Sequence, residues 1–165
     1  MSNIKRIIPG LLSLALAACA HQGNHISWQD FNQSGVQEAQ SQQGLLVFYR
    51  SGEEKMGSAV NLSIDGQYLS SLLAGGHIST PVCPSAHQIT AVPTGKDQAY
   101  LNKLKQHGSS LNIQAGQTVY IKIHSDGNNA QLQQIDPQTA QTELAQTRTQ
   151  AHTLARLSPS ISCAH

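Results

Sequence analysis

Eight histidines, three cysteines and a scatter of serines and carboxylates are the side chains of this sequence that could do chemistry. A metal centre needs ligands at a recognisable spacing, such as CxxC or HxxxH pairs. The histidines are dispersed instead: His21 and His25 near the N-terminus, then His77, His87, His107, His124, His152 and His165. His21 and His25 stand at the spacing of one helix face, but the residues around them do not favour a helix. They support at most adventitious Zn or Cu binding, and no metal or cofactor is expected. Nucleophilic hydrolysis needs a nucleophile on a sharp turn, backed by a histidine and a carboxylate. No G-x-S-x-G occurs, and the surroundings of Ser58, Ser70 and Ser85 lack that context. Glu53 and Glu54 lie in "SGEEKMG", where a hairpin loop would leave both solvated. Phosphate-binding and dinucleotide motifs are also missing. No catalytic residue is nominated, and the expectation is a non-enzymatic protein.

The cysteines say more. In an exported protein an odd count leaves one thiol over, and the N-terminus accounts for it. "MSNIKRIIPGLLSLALAACAH" places Lys5 and Arg6 before an apolar run over 7–18 that ends in the small pair Ala17 and Ala18, the form of a secretory signal. The run is shorter than the roughly 20 residues of a spanning helix. Leu16-Ala17-Ala18-Cys19 resembles the lipobox of bacterial lipoproteins, which implies removal of residues 1–18 and lipidation of Cys19. The other reading is an ordinary signal peptide cut near Ala18 or Ala20. Acyl chains contribute about 0.8 kcal/mol per buried CH2 and stable anchoring takes more than one of them, a condition a triacylated Cys19 meets. The resemblance further implies, from Ala20 in place of Asp, an outer-membrane location with the domain facing the periplasm.

With Cys19 lipidated, Cys83 and Cys163 remain, and an oxidising periplasm favours a disulfide between them. The closed loop is long, and chain entropy gives roughly 4 kcal/mol for such a bond. Pro81 and Pro84 would restrict the backbone on either side of Cys83. The alternative, a thiol and histidine metal site, lacks CxxC or HxxxH spacing near either cysteine.

These residues need elements to hold them. The stretch over 19–43 is polar, with isolated Trp28 and Phe31, and reads as a tether that keeps a lipidated domain off the membrane, passing into a short helix near 35–42. Trp28 is expected to pack on the domain edge rather than stack on a ligand. From Gly44 to about Ile135 the pattern changes to short alternating runs broken by turn residues, the signature of an all-β domain. "LLVFYR" (45–50) is continuously apolar and β-rich, so it should be a central strand. "SAVNLSID" (58–65) alternates, Asp65-Gly66 makes a tight hairpin, and "QYLSSL" returns beside it. "HISTPV", "HQITAV", "SSLNIQA", "TVYIKIHS" and "AQLQQI" complete about seven to eight strands, which a two-sheet sandwich would bury. Over 136–165 the period becomes helical. Asp136 is a good N-cap and Pro137 suits the first helical position, while Ala140, Leu144, Thr147, Ala151 and Leu154 form one stripe. The expectation is a helix over 137–157, docked by that stripe on the β-domain and followed by a disulfide-tethered tail.

Without residues 1–18, eight basic side chains stand against nine acidic ones. No basic stripe with interleaved aromatics speaks for nucleic acid. The most charged patch is the loop "TGKDQAYLNKLKQHG" over 94–108, with Lys96, Lys103 and Lys105 as the candidate binding residues. Its plainer reading is a solvated crossover with a helical turn over 98–106.

The run "LLVFYRSGEEKMGSAVNLSIDGQYLSSLLAGGHISTPVCPSAHQITAV", with the later "LNIQAGQTVYIKI", resembles uncharacterised domains of bacterial envelope lipoproteins and, more loosely, PEGA-type β-domains of surface proteins. The likeness covers roughly 45–123. Where that pattern has Pro-Gly before its histidine, this chain has Pro84-Ser85-Ala86. The resemblance implies a mainly β, Ig-like or PEGA-like sandwich and an accessory or adaptor role with an envelope protein as partner. Two other roles stand beside it: a glycan- or peptidoglycan-binding module, for which exposed aromatics would speak although Tyr49, Tyr68, Tyr100 and Tyr120 mostly fall within expected strands and read as structural, and an inhibitor of an exogenous hydrolase such as lysozyme.

Overall fold

The computed structural model describes residues 31–32, 41–54, 59–95, 98–104, 108–150 and 163. The chain is mainly β, in two sheets that close on one core. Among the described residues the larger has six strands in the order β1-β10-β5-β2-β8-β9, and the smaller four in the order β4-β3-β6-β7. In the larger sheet these strands are β1 (Phe31–Asn32), β2 (Gly44–Tyr49), β5 (Gly76–Val82), β8 (Thr118–Ser125), β9 (Ala130–Ile135) and β10 (Arg148–Gln150). The smaller is built from β3 (Val60–Ile64), β4 (Gln67–Leu72), β6 (Ala86–Pro93) and β7 (Ser109–Asn112).

β2 is central, as its unbroken apolar run requires. It pairs antiparallel with β5 and parallel with β8, and all six of its residues are buried. Leu46 and Phe48 point into the core shared with the smaller sheet, among Val60, Leu62, Ile64, Ile121 and Ile123. Leu45, Val47 and Tyr49 form a second cluster with Ala140 and Leu144 of α2 (Pro137–Leu144). A strand buried on both faces has no place for alternation.

The smaller sheet is covered on one face. β3 alternates buried and half-buried residues along its length. Its hairpin to β4 turns through Asp65 at φ 51° and Gly66 at φ 76°, the two positive angles that a two-residue hairpin turn demands and that glycine adopts without steric cost. A bulge between Leu62 and Ser63 shifts the register against β4, so Leu69 and Ser70 of β4 are both buried. Gly44 marks a close approach: a Cβ there would stand 2.1 Å from Ile113 Cγ2.

Two expectations change at the C-terminal end. α2 begins as expected, with Asp136 accepting a hydrogen bond from Thr139 N–H and Pro137 in the first turn. It stops at Leu144, whereas the stripe predicted a helix over 137–157. Thr147 N–H and its hydroxyl both donate to Leu144 O, Arg148 N–H donates to Gly75 O, and the chain enters β10, parallel to β5. An unpaired edge of β5 offers backbone bonds that outweigh the helical period of a polar, Thr-rich segment. Ala151 and Leu154 lie outside the described residues. At the other end β1 pairs with β10, so Phe31 and Asn32, expected in the tether, join the sheet. The helix expected near 35–42 falls almost wholly outside the described residues, and Ser41 and Gln42 lie in a turn. Within the crossover, α1 (Gln98–Leu104) forms where a helical turn was expected.

Candidate functional site

Of the residues singled out from sequence, Cys19, Lys96 and Lys105 lie outside the described residues. Cys83 and Cys163 stand at disulfide geometry, with Cα atoms 5.4 Å apart. Lys103 is turned onto the β8–β9 hairpin, where its ammonium donates to Asn128 O and to Asn129 Oδ1, the latter at 3.2 Å. It is a strut between α1 and that hairpin, so it does not present a free charge. His77, His87 and His124, the described histidines, stand apart, and among the described residues no three of His, Cys, Asp and Glu gather as metal ligands.

Each histidine has its own setting. His77 is buried in the β5–β10 seam, with Nδ1 2.8 Å from Thr147 Oγ1 and Nε2 2.8 Å from Thr149 Oγ1. Thr147 already donates its hydroxyl hydrogen to Leu144 O, so its oxygen accepts from His77 Nδ1–H and Nε2 is left to accept from Thr149. Burial lowers the His77 pKa from its ordinary value of 6.5, in keeping with a neutral ring.

His87 belongs to a cluster that no local pattern announced. Its Nδ1 lies 2.6 Å from Asp65 Oδ2, and its Nε2 lies 3.1 Å from Ser85 Oγ. Ser, His and Asp in that line suggest nucleophilic chemistry. The Cys83 carbonyl oxygen, however, is 2.8 Å from the same Nε2. A carbonyl can only accept, so while that bond is made Nε2 carries a hydrogen and has no lone pair for the Ser85 proton. Asp65 Oδ1 accepts from Gln88 N–H. Burial works to raise the Asp65 carboxyl, but the Gln88 N–H and the hydrogen bond and charge of His87 hold it below the usual value. The cluster therefore ties the β3–β4 turn to the loop that carries Cys83.

Two ionic clusters brace the larger sheet. Arg50 is 1% exposed. Its Nε and Nη2 donate to Glu54 Oε2 at 3.0 and 2.9 Å, and Nη1 donates to Leu72 O. A guanidinium so buried holds only because its donors are matched. Beneath α2, Tyr49 Oη and Lys122 Nζ each donate to Glu143, both at 2.7 Å. Burial first, then the hydrogen bond and charge of Glu143, push the Tyr49 phenol upward. The Lys122 and Tyr49 hydrogen bonds hold the Glu143 carboxyl down. The trio fixes the helix on the sheet.

Two concave surfaces bear on binding. One is a cleft of about 540 Å3 between the open flank of β6, over Ile89 to Pro93, and the edge of β9 at Ala130 to Leu132. β7 pairs with β6 from Ala86 to Ile89, although β6 runs on to Pro93. β9 pairs with β8 and is the last strand of its sheet. The other is a groove of about 630 Å3 on the outer face of the smaller sheet, overhung by α1. Neither is legible in the sequence, because each joins residues tens of positions apart. Set against protein-family models, curated proteins and solved structures, the chain matches none.

Proposed function

We propose that this chain is a non-enzymatic outer-membrane lipoprotein, lipidated at Cys19, that works as an adaptor for an envelope protein assembly. In this reading an Ig-like or PEGA-like sandwich faces the periplasm at the end of the polar tether, and a Cys83 to Cys163 disulfide fastens its C-terminal tail. The observation that carries the reading is the cleft between β6 and β9. One wall is the flank of β6 beyond its last described pairing with β7, and the other is the outer edge of β9, which pairs with β8 along its opposite side. An extended segment of a partner can add there by backbone hydrogen bonds and fill pockets with alternate side chains. Open edges are normally blunted by charge or proline. Here Pro93 closes β6 only at its end, and β9 carries "AQLQQI" without a charge.

The test is photo-crosslinking in intact envelopes, with a benzophenone amino acid placed at Gln131 in the cleft or at Gln138, exposed on α2. A defined protein adduct from Gln131 that is lost in a Cys19→Ser background supports the adaptor. Adducts from Gln138 alone, or none from either position, overturn it.

A further inference from the structure

We infer that the groove under α1 is a binding site for a neutral oligosaccharide. The groove lies on the wet face of the smaller sheet, which alternation alone would leave flat and solvated. Instead α1 overhangs it, with Gly95 packed so closely on Tyr100 that a Cβ at residue 95 would meet Tyr100 Cβ at 2.9 Å. The walls are Tyr68 of β4 with Tyr100 and Leu104 of α1, and Asn61, Ser63, Gln67 and Thr90 line the space between them. Its volume of about 630 Å3 falls among those of ligand pockets.

The polar groups are already ordered. Asn61 Nδ2 donates to the Tyr100 hydroxyl, and Ser71 Oγ donates to Asn61 Oδ1. With its hydrogen so used, Ser71 Oγ accepts from the Tyr68 hydroxyl at 2.6 Å. One chain of hydrogen bonds across β3 and β4 thus holds both tyrosines by their hydroxyls, and a ligand would find them in place.

The lining selects the ligand class. Among the described residues no charged side chain lines the groove, so an anion or cation would find no counter-charge among them. A wholly apolar ligand could pack on Leu104 and the two rings but would strip water from the amides and hydroxyls without replacing their hydrogen bonds. A sugar ring has an apolar C–H face and a rim of hydroxyls that each donate and accept. Tyrosine rings suit the first, and Asn, Gln, Ser and Thr suit the second. This site shares Thr90 with the cleft between β6 and β9 but is otherwise lined by different residues, so its fate does not decide that of the adaptor reading.

Saturation-transfer NMR on the full-length protein in detergent micelles tests the inference, with three probes: tetra-N-acetylchitotetraose, maltotetraose and a neutral Gly/Ser/Ala hexapeptide. Transfer to the ring protons of at least one saccharide is expected. Removing either ring, by Tyr68→Ala or Tyr100→Ala, should weaken binding about tenfold. Gln67 is exposed at the hairpin, so Gln67→Ala should weaken binding a few-fold at an unchanged Tm, which separates loss of contact from loss of fold. Absence of transfer to both saccharides, transfer to the peptide alone, or saccharide binding indifferent to all three substitutions would overturn the assignment.

Discussion

β2 and β3 each run through the middle of a sheet, yet they are built on different terms. Every residue of β2 is buried, whereas β3 buries Val60, Leu62 and Ile64 and leaves Asn61 and Ser63 half-exposed. The cause lies in what covers the outer faces. α2 seals the larger sheet through Ala140 and Leu144, while α1 buries none of its own residues and overhangs the smaller one without filling the space below it. Where both faces of a sheet are sealed it is scaffold, and a groove on a sheet face has room only where that face is left wet. That is why the groove lies beside β3 and the ionic braces lie around β2.

The contrast is most open to attack at the core. Truncating either parity of β2 should be costly: Phe48→Ala by about 3–5 kcal/mol, and Leu45→Ala, on the opposite face, by about 2–5 kcal/mol. Urea unfolding measures both. A cheap Leu45→Ala would mean that α2 does not seal the sheet and that the two sheets are less different than described.

Next in size is the link between the sheets. Cys83 sits in the connection from β5 of the larger sheet to β6 of the smaller, and its partner Cys163 lies 80 positions away. Replacing both cysteines by Ala should lower stability by about 4 kcal/mol, less any strain the bond carries. Hydrogen exchange should then show protection lost first at β10, the short strand nearest the freed tail, and last at β2. Equal loss in both would show that the two strands open as one unit.

What could be read in advance follows the same division. Burial on both faces writes an unbroken apolar run, and burial on one face writes alternation, so "LLVFYR" and "SAVNLSID" were each legible as strands of their kind. Asp65-Gly66 announced its turn because the backbone angles there are demanded locally. Arg148, Thr149 and Gln150 could not be read, because what makes them a strand is the vacant edge of β5, a tertiary fact. Their apolar neighbours at helical spacing pointed to the wrong element. Tyr68 and Tyr100 lay in plain view as aromatics, but their approach depends on α1 folding back over the smaller sheet. Asp65, Ser85 and His87 met in the same way, through the pairing of β3 with β6.

A pH experiment sharpens the contrast at the seam of the larger sheet. Burial lowers the His77 pKa below 6.5 in the fold, so between the folded value and 6.5 the unfolded chain binds a proton that the folded chain refuses. Stability is therefore full above about pH 6.5 and falls as the pH drops through that window, with a slope below the one-proton limit of about 1.4 kcal/mol per pH unit. Urea unfolding between pH 7.5 and 5 should show the slope in the wild type and a shallower one in His77→Gln. Equal slopes would mean that His77 is not held neutral by its burial between β5 and β10.

The smallest effect is the most telling about the wet face. Ser63 sits between Leu62 and Ile64, each nearly inaccessible, and is itself half-buried on the side of the groove. If the outer face of the smaller sheet is solvated, Ser63→Ala should change stability by no more than about 0.5 kcal/mol, while Leu62→Ala next to it should cost about 2–5 kcal/mol. Urea unfolding of the two variants side by side makes the comparison within a single strand. A Ser63→Ala cost approaching that of Leu62→Ala would mean that α1 packs the outer face as tightly as α2 packs the larger sheet, and the groove would then have no room for a ligand.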